Sequence, residues 1–217
     1  MVSPISPVSC YTLTAMSSRP AGPTPLPRTR RALGQRPGPR PRLPKKRGEE
    51  PLFYQDVFRT LNEGAVKYLV VGGVALVLHG AVRLTVDLDL MVALDGKNLG
   101  KFIGSMTAGG YRPKLPVPAA DFAKKEKREL WISEKNMKVF SFFHPDRPFE
   151  IVDVFVDEPL PFREAYSRRE VVRAGALNIP VVSRKDLIAL KKISGRPQDL
   201  EDIKMLEALS RKARAGA

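Results

Sequence analysis

The chain has 217 residues and a formal charge of +14, enough length for one domain or a small two-lobed one with a proper core. Cys10 is the single cysteine, which excludes an internal disulfide and a cysteine-rich metal site. The apolar run from Tyr68 to Val82 is too short to span a bilayer and is interrupted by Gly72-Gly73 and His79. With no continuous apolar signal stretch either, the chain reads as cytoplasmic with no membrane partner.

Residues 1–50 hold ten of the 20 prolines and ten Arg or Lys against only Glu49 and Glu50, a net +8 that leaves +6 for the rest. Such a segment cannot offset its ordering entropy by burial, so a disordered Pro/Arg-rich tail is expected. It reads as a solvated extension, as translation from a start upstream of Met16, or as a basic arm that holds nucleic-acid phosphates.

Apolar positions at Leu52, Phe53, Val57, Phe58 and Leu61 have the spacing of an amphipathic helix ending near Gly64. Residues 67–71 read as a buried strand, 74–80 as a short helix and 86–93 as a second strand. Asp95 is a fitting cap for a helix through Leu99, Phe102, Ile103 and Met106, stopped by Gly109-Gly110. Residues 111–128 read as a mobile Pro-rich loop, followed by a weak strand at Leu130–Ile132 and clearer ones at Val139–Phe143 and Phe149–Val156. Beyond Pro161 the pattern is helical, with a short strand at Asn178–Val182 and final helices at Arg184–Ile193 and Pro197–Ala208. This divides the chain into the tail, a core over 51–160 and a helical C-terminal part over 161–217 that packs on it, in an α/β (α+β) fold.

Within the second strand, Asp87 and Asp89 lie two residues apart and point to one face, while Leu88 and Leu90 point to the other. Two like charges on one small patch call for a cation, and a divalent metal with hard oxygen ligands is the usual solution. Asp153 interrupts the apolar run Glu150-Ile-Val-Asp-Val-Phe-Val156 in the same way. By itself an Asp in a strand is more often solvent-facing; together with Gly72-Gly73 and the 87/89 pair it reads as a third site carboxylate.

Gly72-Gly73, Ala75, His79-Gly80, Arg83, Thr85 and Asp87-Leu-Asp89 closely resemble the opening motif of minimal nucleotidyltransferases of the DNA polymerase beta-like superfamily. Asp186-Leu-Ile-Ala-Leu-Lys191 and Arg196-Pro-Gln-Asp-Leu-Glu-Asp-Ile203 resemble the C-terminal motif of the abortive-infection (AbiEii-like) type, many of whose members are toxins of toxin-antitoxin pairs. The resemblance covers residues 51–209. It implies a mixed β-sheet flanked by helices, with Gly72 and Gly73 offering backbone N–H groups to an NTP triphosphate. Asp87, Asp89 and Asp153 would be the catalytic carboxylates and the Mg²⁺ ligands. The implied reaction moves an NMP to an acceptor and releases pyrophosphate, with a cognate antitoxin as an implied partner; the +6 balance of the folded part favours an anionic acceptor, RNA such as a tRNA end. One departure is Val74, where many relatives carry a serine after the glycine.

Arg83 and Thr85 are expected to contact phosphate or brace the loop, and Lys191 to approach the nucleotide phosphates or be merely solvated. Asp199 is expected in a structural ion pair, while Asp202 is left open between that and a site role. His79 is read as a satisfied core histidine in preference to a general base. The chain has no Gly-Lys-Ser/Thr loop and lacks a third glycine at dinucleotide-binding spacing, which argues against Walker and Rossmann enzymes. Transfer to a protein acceptor, and a non-catalytic antitoxin or RNA-binding relative of the same fold, are the competing readings.

Overall fold

The structure, a computed structural model, describes residues 54–215, with side chains to 211, so the expected tail over 1–50 lies outside the described residues. Helix α1 (Gln55–Glu63) buries Val57, Phe58 and Leu61 and leads to strand β1 (Tyr68–Val71), buried along its length. Helix α2 (Gly72–Leu78) begins directly at the paired glycines, and β2 (Leu88–Val92) follows after a stretch of irregular backbone. Helix α3 (Gly96–Ala108) starts as its sequence dictates, with the Asp95 carboxylate accepting the Asn98 N–H, and ends at Gly109.

The segment read as a loop is more ordered than expected. It contains β3 (Arg112–Pro113), a 3-10 turn (Ala119–Ala123) and helix α4 (Lys125–Lys135), which replaces the weak strand expected at Leu130–Ile132. Three apolar residues in a Lys/Glu-rich setting suit a helix here, in which Leu130 stays exposed while Trp131 is buried and stacks on Phe140, centroids 5.1 Å apart. The chain continues with β4 (Val139–His144), β5 (Arg147–Phe155), α5 (Phe162–Ser167), β6 (Glu170–Ala174) and β7 (Leu177–Val181). Two helices close it, α6 (Arg184–Ser194) and α7 (Pro197–Ala215), separated by Gly195 at φ +65°.

The seven strands of the described residues form one mixed sheet in the order β3-β4-β5-β2-β1-β7-β6. β2 runs parallel to β5 and β1 parallel to β7, while the other neighbours are antiparallel. The fold is thus α/β with a mixed sheet flanked by helices, and residues 170–181 supply two of its strands. β6 was not anticipated, because its residues are half-buried or exposed and carry no apolar alternation.

The two sheet faces differ in chemistry. On one, Leu88, Leu90, Phe140, Phe142, Val152 and Val154 are fully buried. Phe102 of α3 meets Phe142 edge-on at 5.6 Å, and Phe122 of the 3-10 turn lies 5.3 Å from Phe140. Each such side chain contributes about 1.5–3 kcal/mol of burial. Strand periodicity then directs Asp89, Asp153 and Ser141 to the other face. No helix among the described residues is long and apolar enough to cross a membrane.

Candidate active site

Register sets the site. Val71, Asp89, Asp153 and Ser141 are successive cross-strand partners on β1, β2, β5 and β4, so they line up across the acid-bearing face. Asp89 and Asp153 are therefore direct neighbours on adjacent parallel strands. Asp87 is exposed and stands one residue before β2, not within it as the sequence suggested. Among the described residues, no three His, Cys, Asp or Glu side chains are gathered closely enough to form a ready metal-binding group.

Paired glycine is required at the top of β1. Gly72 has φ +63°, and a Cβ there would collide with the Asp89 carboxylate. A Cβ on Gly73 would strike the Thr85 hydroxyl. The Gly73 N–H donates to Asp89, so the loop and the carboxylate are in direct contact.

Electrostatics mark the same place. Burial pushes the Asp89 carboxyl up to about 6; the charges of Asp153 and Asp87 add to the rise, and Arg196 with the Gly73 N–H partly opposes it. Asp153 is also raised, by burial first and by Asp87, against a hydrogen bond from Ser141 and the charge of Lys114. One of its oxygens, Oδ1, is buried without a hydrogen-bond partner. Both groups are thus held where ionisation is unfavourable unless a cation arrives.

The predicted cations fare differently. Lys191 is buried, and its Nζ lies 3.0 Å from Asp199 and 2.6 Å from Asp202. Asp202 also pairs with Arg83, which reaches over from the stretch before β2. Asp199 accepts the Arg196 N–H at 3.1 Å. Burial alone would raise the Asp199 carboxyl, but hydrogen bonds from Lys191 and Ser194 hold it below its ordinary value. Lys191, Arg83, Asp199 and Asp202 therefore form one internally neutral cluster that ties α6 and α7 to the approach to β2.

That cluster stands at the edge of a pocket of about 370 Å³, open solvent included, whose walls include Val71, Gly72, Asp89, Phe155, Leu187 and Arg196. His79 lies elsewhere. Its Nε2 meets the Val182 carbonyl at 2.8 Å and its Nδ1 faces Glu170 at 3.6 Å, and burial lowers its pKa. It is a buried pin between α2 and the β6–β7 hairpin. Ser141, Lys114 and Arg196 are the neighbours of the acids that motif reading did not single out as site residues; no linear signal carries them, because they reach the site through strand pairing and the α6–α7 turn.

A family model described as a nucleotidyltransferase of unknown function (DUF6036) matches residues 55–212. No curated protein matches the chain. Among solved structures, lincosamide antibiotic adenylyltransferase LnuA in its lincomycin-bound form is similar at 17% identity, with 70% of this chain and 93% of that chain covered and a TM-score of 0.46. ANT(2")-Ia in complex with adenylyl-2"-tobramycin is similar at 15% identity, covering 74% and 94% of the two chains, with a TM-score of 0.45. Likeness at that level assigns no acceptor to this chain.

Proposed function

The chain is a nucleotidyltransferase belonging to the DUF6036 family, and on that premise we propose that it is Mg²⁺-dependent and transfers an NMP from an NTP to RNA, such as a tRNA end. The observation that carries this reading is the adjacency of Asp89 and Asp153 in register beneath Gly72, with Asp153 Oδ1 buried and unpartnered. An all-oxygen, under-compensated donor set fits a hard divalent cation. Asp89 and Asp153 would hold it, with Asp87 at the exposed mouth as the third ligand. When bound, the cation neutralises phosphate charge and lowers the pKa of the attacking hydroxyl.

The remaining work falls to the protein's own groups. The acceptor oxygen forms a bond to the α-phosphorus, the bond from that phosphorus to the bridging oxygen breaks, and pyrophosphate leaves. The Asp153 carboxylate, raised above its ordinary pKa, takes the hydroxyl proton at an oxygen. The Gly72-Gly73 turn lets the Asp89 carboxylate and the Thr85 side chain sit directly against the backbone, and Arg196 supplies positive charge at the pocket edge. Lys191 and Arg83 act by fixing the α6–α7 wall, since their charges are met by Asp199 and Asp202.

The test is incubation of the purified protein with each labelled NTP, Mg²⁺, and total RNA or lysate protein, beside Asp89→Asn. RNA label that depends on Asp89 is expected; no label above the variant with any acceptor overturns the reading. The toxin role rests on the motif spanning α6 and α7. It predicts growth arrest on induced expression of the wild type and none with Asp89→Asn.

A further inference from the structure

The row of cross-strand partners continues beyond the acids. Ser141 is opposite Asp153, and Lys114, the residue after β3, donates its backbone N–H to the Ser141 carbonyl at 2.9 Å. Arg112, two residues earlier, is opposite Phe143. Positions two apart on a strand share a face, so Arg112 and Lys114 stand on the acid-bearing side, while Pro113 between them is opposite Phe142 on the core side.

Both cations are exposed, and among the described residues neither makes an ion pair. They differ in this from Arg83 and Lys191 on the opposite flank, whose charges are already met. Residues 54–160 carry as many acids as bases, so two exposed cations on the acid-bearing face reflect placement and not a general excess. Among the described residues β3 is the edge of the sheet, with no further strand beyond it.

Direction follows from the row. The pocket beside Gly72 and Asp89 lies at the β1–α6 end. With the nucleotide held there, an in-line attacking hydroxyl approaches from beyond Asp153, over β4 and β3. Two residues of strand span roughly 6.5–7 Å, comparable to the separation of successive phosphates in a nucleic-acid strand.

We propose that Arg112 and Lys114 are the acceptor-side contacts of this enzyme, and that they take two backbone phosphates of an RNA strand whose terminal hydroxyl reaches Asp153. This rests on the nucleotidyl-transfer reading above. Evenly spaced anions are what two cations on one strand face match, and an RNA supplies them along its whole length.

The test compares the full-length wild type, Arg112→Gln/Lys114→Gln and Arg112→Lys/Lys114→Arg. The readouts are fluorescence anisotropy with a 5′-labelled single-stranded RNA bearing a free 3′-hydroxyl, and transfer kinetics. All three proteins carry the same basic residues 1–50, so only differences between them are read. The neutral double variant is expected to bind RNA about tenfold more weakly and to lose roughly 1.4 from the slope of log affinity against log salt. Its KM for RNA rises in step while its KM for NTP stays within about twofold, and the charge-conserving variant restores wild-type binding.

Unchanged RNA affinity and salt slope in the neutral variant overturn the proposal, as does a KM for NTP that rises in parallel. Asp89-dependent label on protein and none on RNA overturns it while the transferase reading stands. Weakened RNA binding with no Asp89-dependent label on any acceptor overturns both, leaving only an RNA-binding edge.

Discussion

Asp89 and Asp153 on the sheet, and Asp199 and Asp202 on α7, are two carboxylate pairs in one protein, and the fold treats them in opposite ways. The α7 pair is buried but met by Lys191, Arg83 and the Arg196 N–H, and Asp199 is held below its ordinary pKa. Among the described residues the sheet pair has no ammonium or guanidinium in contact, and both members are pushed up. A carboxylate compensated from within is a structural tie; one left uncompensated in register with another is where the proposed cation would bind.

The largest effect that would break this contrast is on chemistry. Asp89→Asn or Asp153→Asn should lower labelled-NMP transfer about 10⁴-fold, close to 5.5 kcal/mol of transition-state stabilisation. Melting temperature should not fall, because like-charge crowding is relieved. A variant that loses activity only by unfolding would erase the distinction between the pairs.

Next comes Lys191→Met, which strands two buried carboxylates. It should cost about 3–5 kcal/mol in a denaturant melt. A loss under 1 kcal/mol would show that Arg83 and Arg196 suffice. Gly72→Ala should cost roughly 2–3 kcal/mol, through strain at positive φ and collision with the Asp89 carboxylate, and should depress transfer as well.

The pH dependence has a definite sign. Asp89 holds its proton more tightly folded, at about 6, than its ordinary value of 3.8 allows unfolded. Its contribution is fully present below about pH 4 and is lost as pH rises through about 6, on the order of 3 kcal/mol. Stability should therefore decline over that window in the wild type and be flatter in Asp89→Asn. At pH 8, Mg²⁺ should raise the melting temperature of the wild type alone. The smallest expected change is Lys125→Ala, which removes an exposed pair with Glu129 and should cost about 0.3 kcal/mol.

Much of the first half was legible because its signals are local. Gly72-Gly73, the alternation around Asp89 and the Asp95 cap each act within a few residues. Leu130–Ile132 misled because three apolar residues do not separate strand from helix; Trp131 chose the helix by finding Phe140, a tertiary contact. Pro113 and the half-exposed Glu170–Ala174 hid two edge strands. Asp153 was readable as an anomaly in an apolar run, whereas Ser141 and Lys114 depend on strand order, which local pattern does not encode. Lys191 was readable as a cation but not as one already claimed by Asp199 and Asp202, eight and eleven residues further along the chain.

The parallel pairing of Val70 with Val181 has a bearing on biosynthesis. β1 leaves the ribosome long before its partner β7, and α6 and α7 emerge after both. During translation the acidic row can be assembled while the wall carrying Lys191 and Arg196 is still unmade. A nascent or prematurely terminated chain ending before Arg184 would carry the acids without the side of the pocket that Leu187 and Arg196 supply.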